Sequence, residues 1–326
     1  MKKKALITGI TGQDGCYLAQ FLLGKGYKVH GIVRPKQGPD LKGLHYLGID
    51  RQVHLFSADL AQGRQVQKIV GAIKPNEIYN LAAMSSVARS FQKPLETIEF
   101  NLNSTTNVLE AARLSAPHAR IYQASSSEMF GRASRLPATE GTPFAPVSPY
   151  GISKVFCHWR AHHYRRIHRM FCACGVLFNH ESVLRPGYFV TKKIISTAVR
   201  IKHGSKEKLK LGNIRIQRDW GYAPEYVKAM WLMLQQKTPD DYILATSEAH
   251  SLEEFVRAAF RYLGLDWEKN VVVDKTLFRS CDIDVSYGDP EKIKRRLGWV
   301  YHLDFKDLIK LLIDEEINYQ RGLKKA

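Results

Sequence analysis

The chain has 326 residues, 44% of them hydrophobic and 25% charged, and a formal charge of +18 at pH 7. This is a globular composition, enough for one large domain or two closely joined ones. It contains no run of about eighteen apolar residues, so no membrane span is expected, and its basic, glycine-interrupted start is too short for a signal peptide.

The first half alternates short apolar runs with amphipathic stretches. Ala5 to Thr8 reads as a strand, Tyr17 to Lys25 as a helix with Leu18, Phe21 and Leu22 on one face, and Lys28 to Val33 as a second strand. Val53 to Phe56, Glu77 to Leu81, Ala119 to Ala124 and Phe171 to Phe178 read as further strands. Val66 to Ile73, Thr97 to Leu114 and Tyr150 to Arg166 read as the helices between them. Strands that are apolar throughout and alternate with helices predict a parallel sheet covered on both faces. With right-handed crossovers this is an α/β, doubly wound, Rossmann-type fold. Beyond about residue 178 the rhythm is less regular, with amphipathic helices at Ser251 to Leu263 and Phe305 to Tyr319. The expected organisation is a dinucleotide-binding domain over 1–178 and a smaller C-terminal α/β substrate lobe over 179–326, with segments exchanging between them.

Three features carry chemistry. The first is Gly9-Ile10-Thr11-Gly12-Gln13-Asp14-Gly15, directly between the first strand and first helix. Glycines there permit a tight turn and let backbone N–H groups approach a pyrophosphate at a helix start. The second is the end of the second strand, Val33-Arg34-Pro35-Lys36, which has no carboxylate to hold a ribose 2′-hydroxyl. Arg34, with Lys36, would pair with a 2′-phosphate instead, which favours NADP. Asp59 and Leu60, after the third strand, are expected near the adenine edge. The third is Tyr150-Gly151-Ile152-Ser153-Lys154, a YxxxK spacing that puts Tyr150 and Lys154 on one helix face. A phenol titrates near about 10, and a lysine one turn away would stabilise its anion. Upstream, Ser126 and Glu128 follow a strand, where doubly wound sheets bind ligands. If the chain stays extended both project to one side, supplying a hydroxyl and a second acid/base.

Other features have plainer readings. The five cysteines are odd in number and read as reduced thiols in a cytoplasm. Cys172 and Cys174 are expected on a buried strand rather than at a metal. His158, His162, His163 and His168 read as a solvated or interface helix face, and no metal is expected. The basic residues are scattered without an aromatic-interleaved box. Attraction of a phosphorylated cofactor and substrate, an incidental basic surface and nucleic-acid binding all remain open as sources of the charge, and nucleic acid is not the expected partner.

At these motifs the sequence resembles the extended short-chain dehydrogenase/reductases, and among them the GDP-mannose 4,6-dehydratases. The matching stretches are Leu6 to Gly15, Tyr79 to Ala83, Tyr122 to Ser125, Ser148 to Tyr150, Leu177 to Ser182 and Arg218 to Gly221. Gln13-Asp14 and Phe178 to Ser182 are fairly specific to the dehydratases, where generic sugar epimerases usually carry different residues. The resemblance implies oxidation of the hexose at C4 with Tyr150 as base, removal of the C5 proton by Glu128 with loss of the C6 hydroxyl, and return of hydride to C6. It puts Leu81, Ala82, Ala83, Lys154, His180 and Arg185 on cofactor positions, and Ser86, Ser126, Glu128, Asn179, Lys193, Leu211, Gly212, Arg218, Arg279 and Asp282 on substrate positions. It also implies a GDP-linked sugar as substrate and a homodimer or homotetramer.

The sequence departs from the family pattern at Ser126, at Pro35 to Pro39, at Ser86, at Val183 to Gly187 and at Asp282. These changes leave open the tetramer, the grip on a 2′-phosphate, and the sugar, for which a GDP-linked heptose is an alternative. A 4-epimerase, decarboxylase or 4-keto reductase on the same fold is a further reading. Glu128 is the discriminating residue, since a simple epimerase needs no C5 base.

Overall fold

The computed structural model describes residues 2–35, 40–278 and 282–323. Strand and helix alternate from the start: β1 (Lys4–Thr8), α1 (Gln13–Gly24), β2 (Lys28–Val33), α2 (Lys42–Tyr46), β3 (His54–Ser57), α3 (Gly63–Ile73) and β4 (Glu77–Asn80). Next come α4 (Val87–Gln92), α5 (Pro94–Ser115), β5 (Arg120–Ser126), α6 (Pro149–Ile167), β6 (Cys172–Leu177) and β7 (Asn179–Glu181). The remainder comprises α7 (Val190–Lys202), β8 (Leu209–Leu211), β9 (Gln217–Arg218), β10 (Trp220–Tyr222), α8 (Ala223–Leu234), β11 (Asp241–Leu244) and β12 (His250–Ser251). It ends with α9 (Leu252–Tyr262), α10 (Trp267–Asn270), β13 (Val271–Val273), β14 (Val285–Ser286), α11 (Glu291–Leu297) and α12 (Phe305–Leu323).

Seven strands form one sheet in the order β11-β6-β5-β4-β1-β2-β3. Every pairing in it is parallel. The fold is therefore the expected α/β doubly wound, Rossmann-type sheet. Its seventh strand comes from residues 241–244, so the C-terminal half of the chain completes the sheet. Helices α1 and α8 cover one face through Leu18, Leu22, Tyr226 and Met230. The other face is covered by α3, α5 and α6, through Val66, Val108 and Tyr164 among others. A separate core formed by α7, α9 and α12 around Trp220 and Phe255 makes the smaller lobe. No helix among the described residues is long and apolar enough to cross a membrane.

Two helix starts and one side chain differ from the sequence reading, each for a local reason. Helix α1 begins at Gln13, inside the glycine run, because a Cβ on Gly15 would lie 2.2 Å from the Gly9 carbonyl oxygen. Gly15 is thus a packing requirement of the helix and not its boundary. Helix α6 begins at Pro149 and is capped by Ser148, whose Oγ accepts from the Gly151 N–H. His158 is 5% exposed. Its Nδ1 lies 3.0 Å from Ser125 Oγ, and its ring edge packs on Phe144 at 5.2 Å, so this histidine faces the sheet and not solvent. Cys172 and Cys174 are fully buried on β6, and burial pushes the Cys172 thiol up to about 12.

His30 on β2 is buried with both ring nitrogens unpartnered, and stacks on His54 at 5.2 Å. Burial, then the charges of His54 and Lys28, push its pKa down to about 4. The unfolded chain therefore binds a proton that the folded chain refuses, between pH 6.5 and about 4. Stability should fall as pH drops through that window, and His30→Leu should remove about 1 kcal/mol of the loss. Denaturant unfolding at pH 7.5 and 5 measures this; an equal loss in the variant assigns the acid sensitivity elsewhere.

Candidate active site

The carboxyl ends of the central strands open into a cavity of about 650 Å³, closed on its far side by residues of the smaller lobe. Its floor is the glycine turn. Gly9 has φ +72°, and a Cβ there would crowd Ala82 N at 3.0 Å. A Cβ on Gly12 would meet only Gly9 O, at 3.3 Å. Gly12 gives α1 no side-chain cap. The first N–H groups of that helix are thus left for an anionic group, which is how a dinucleotide pyrophosphate is held. Gly9, Thr11, Gly12, Gln13, Asp14, Gly15, Arg34, Leu60, Leu81, Ala82 and Ala83 all line this part of the cavity. A dinucleotide fits these residues.

Gln13 and Asp14 reach across to β7. Gln13 Nε2 donates to the His180 carbonyl at 3.0 Å, and Gln13 Oε1 accepts from Ser182 Oγ at 2.9 Å. His180 pairs with Asp14 through Nε2 at 2.9 Å, and its Nδ1 donates to the Phe178 carbonyl at 2.7 Å. A carbonyl only accepts, so Nδ1 is the donor there, and a carboxylate beside Nε2 favours the doubly protonated ring. Burial opposes ionisation of both partners. Their mutual attraction overrides it, holding Asp14 down at about 2 and His180 above its ordinary range. His180 also stacks on Tyr226 at 4.7 Å. With both nitrogens used inside the protein, His180 serves the cavity by fixing its wall.

The reactive wall is built where β5 meets α6. Ser125 and Ser126 belong to β5, and Ser127 to Met129 form a 3-10 turn. The chain does not stay extended, as the common projection of Ser126 and Glu128 required. The Glu128 N–H donates to Ser126 Oγ at 3.3 Å and closes the turn, yet both residues still line the cavity. A Cβ on Gly151 would lie 2.6 Å from the Glu128 carbonyl oxygen. That glycine lets the first turn of α6 press against the serine–glutamate turn and brings Tyr150 beside it. Tyr150 and Lys154 are 8% and 4% exposed. Lys154 Nζ lies 5.9 Å from the Tyr150 ring centre and donates to the Ala124 carbonyl at 2.5 Å.

Behind this wall runs a line of buried polar contacts. Thr8 Oγ1 donates to Asn80 Oδ1 at 2.7 Å and accepts from the N–H groups of Leu81 and Ala82. Asn80 Nδ2 donates to Gln123 Oε1 at 2.8 Å, and Gln123 Nε2 to the Ala124 carbonyl at 3.1 Å. Asn101 on α5 accepts from the Met84 N–H and donates to Ser153 Oγ, both at 2.8 Å. Ser153 Oγ in turn donates to the Tyr150 carbonyl. None of Asn80, Asn101, Gln123 and Gly151 was singled out from sequence. The signal for Asn80 and Gln123 was available: Asn80 is the polar last residue of β4, and Gln123 is a polar residue in the middle of β5, next to Ile121, Tyr122 and Ala124.

On the far side Ser86, Asn179, Arg185, Gly212, Arg218 and Asp282 line the cavity. Arg185 is ion-paired to Glu181 at 3.2 Å and lies over Phe189 at 3.7 Å. Arg218 is anchored by donating to the carbonyls of Gln217 and Ile283. Three expected residues are not on the cavity wall. Asp59 accepts from the Ala61 N–H and folds its own loop. Lys193 Nζ donates to the Lys210 carbonyl, and Leu211 is buried in the core of the smaller lobe. Arg279 and Lys36 lie outside the described residues, as do Gln37 to Pro39 and Cys281.

Across residues 6–312 the chain matches the model of the GDP-mannose 4,6 dehydratase family. It belongs to that family. It is 45% identical to GDP-mannose 4,6 dehydratase 2 of Arabidopsis thaliana, over 99% of this chain and 89% of that protein. It is 39% identical to GDP-mannose 4,6 dehydratase of Homo sapiens, over 97% and 92%. Among solved structures, UDP-glucose 4-epimerase of Thermotoga maritima with UDP-glucose superposes with a TM-score of 0.86 at 19% identity, covering 98% of this chain and 99% of that one. The dTDP-glucose 4,6-dehydratase of Streptomyces venezuelae with NAD and TYD bound gives 0.86 at 20% identity, covering 99% and 98%. These structural likenesses establish the fold.

Asp219, between β9 and β10, holds the family segment Arg218 to Gly221 in place. It is buried, and accepts from Thr246 N and Oγ1, Ser247 N and Gly288 N. Burial pushes its carboxyl up to about 7 against the pull of those donors. Asp219→Ala would orphan them and should cost roughly 2–4 kcal/mol. Calorimetry checks this; an unchanged melting temperature would show that the donors find other partners.

Proposed function

We propose that this chain is an NADP-dependent 4,6-dehydratase of a GDP-linked hexose, turning GDP-mannose into its 4-keto-6-deoxy derivative. The observation that carries the reading is the meeting of Ser126, Glu128 and Tyr150 on one wall of a cavity whose floor is the glycine turn. Relatives named GDP-mannose 4,6 dehydratase over nearly the whole chain support it. A bound NADP supplies a hydride acceptor for C4 and the donor that later reduces C6. Arg34 on the cavity wall, with no carboxylate at the end of β2, supports the phosphorylated cofactor.

The residues divide the work by their chemistry. Tyr150 Oη takes the proton of the C4 hydroxyl as C4 is oxidised, and Ser126 Oγ hydrogen-bonds the same oxygen. The Lys154 ammonium beside the Tyr150 ring stabilises the phenolate. A C4 ketone makes the C5 proton acidic. The Glu128 carboxylate removes it and passes that proton to the departing C6 hydroxyl, which leaves as water. C5 regains a proton as C6 is reduced, and the C4-hydroxyl proton released from Tyr150 balances it through solvent, leaving both groups ready for the next turnover. No net oxidation results, so the cofactor is regenerated in place. Arg218 and Arg185, which both line the cavity, are the cations assigned here to the diphosphate and the cofactor.

A second copy of the chain is the proposed partner. Ile152, Phe156 and Trp159 form an exposed apolar stripe along α6, with Leu95 exposed on the neighbouring α5. Two such helix pairs meeting about a two-fold axis would bury it.

Three outcomes check these readings. Pure protein given GDP-mannose, UDP-glucose and GDP-manno-heptose in turn should remove one water from GDP-mannose, read by mass. No loss from any of them contradicts the dehydratase reading, and loss from the heptose alone reassigns the sugar. Glu128→Gln should lower turnover by about 10²–10⁴-fold and leave absorbance at 340 nm after mixing with substrate; normal turnover removes Glu128 from its role. Separately, Phe156→Glu with Trp159→Glu should halve the mass by light scattering or more, and an unchanged mass locates the contact elsewhere.

A further inference from the structure

Arg34 leaves β2 at the cavity wall, and its guanidinium lies 5.0 Å from the ring centre of Phe100. Phe100 is on α5, sixty-six positions further along the chain, and it too lines the cavity. Its other side packs, with Phe56 and Ala82, onto the core beneath α3 and α5. The ring is thus seated by the core, while the arginine above it is exposed. A guanidinium is attracted to the face of an aromatic ring. Held there, it keeps its N–H edges free for a second, anionic partner. Two carboxylates lie nearby and are engaged locally: Glu96, which feels the Arg34 charge, pairs with Lys93 at 2.7 Å, and Asp40, which lines the cavity, accepts from the Lys42 N–H at 3.1 Å. Ile32, Ala58 and Leu60 complete an apolar slot beside the pair, of a kind that suits an adenine ring.

We propose that Phe100 is a specificity-determining positioning residue, holding Arg34 ready for a phosphate on the 2′ oxygen of the adenosine ribose. Part of the discrimination between phosphorylated and unphosphorylated dinucleotide then resides on α5 and not on the strand that carries the arginine. This inference rests on the NADP reading above.

Calorimetric titration separates the two. The full chain, freed of bound nucleotide on charcoal, is titrated with adenosine 2′,5′-bisphosphate and with 5′-AMP. Wild type should prefer the bisphosphate. Phe100→Leu should weaken the bisphosphate by about 3- to 10-fold and AMP by less than about 2-fold, and Phe100→Tyr should restore the preference. In an Arg34→Ala background Phe100→Leu should have no further effect on the ratio. A wild type without preference overturns the NADP reading itself. A wild type with preference whose Phe100→Leu variant keeps the ratio, or loses both ligands equally, overturns the inference alone. Melting curves that match wild type confirm that each variant titrated is folded.

Discussion

A line of buried hydrogen bonds runs across the carboxyl ends of the central strands, from Thr8 through Asn80 and Gln123 to the carbonyl of Ala124, where Lys154 docks. Each member sits in a low-dielectric interior, where an unpaired polar group is costly and a satisfied chain is rigid. The same threonine oxygen also fixes Leu81 and Ala82, which line the cavity floor. The floor for the dinucleotide and the ammonium beside Tyr150 are therefore positioned by one connected set of contacts. Moving one would strain the other.

A second set of contacts ties another part of the cavity wall together. Gln13 and Asp14, at the start of α1, hold His180 and Ser182 on and after β7. Both segments belong to the stretches that carry the resemblance, and they touch. Their side chains are spent on each other, and together they build the wall. The proposed chemistry falls to Ser126, Glu128 and Tyr150, beside the close approach of Gly151 to the Glu128 carbonyl.

Much of this is legible in the sequence. Apolar strands and amphipathic helices announce the doubly wound sheet, because both periodicities are local. Tyr150 and Lys154 are legible as a helical pair, since their spacing alone puts them on one face. Asn101 and Phe100 were not, because their partners Met84, Ser153 and Arg34 are distant in sequence and nothing in the spacing connects them. His158 was misjudged for a related reason: a polar residue on a charged helix reads as solvated unless its partner Ser125 is known. Lys193 and Leu211, taken from resemblance alone, lie off the cavity wall, since a shared position does not fix where a side chain points.

The central claim is that oxidation at C4 is transient and that the same hydrogen is given back at C6. GDP-mannose labelled with deuterium at C4 tests it directly, with the product examined by mass and by NMR. Deuterium recovered at C6 of the 4-keto-6-deoxy product, with no reduced cofactor released, is the expected result. Deuterium found in solvent or on free dinucleotide, or product formed without it at C6, would contradict the account.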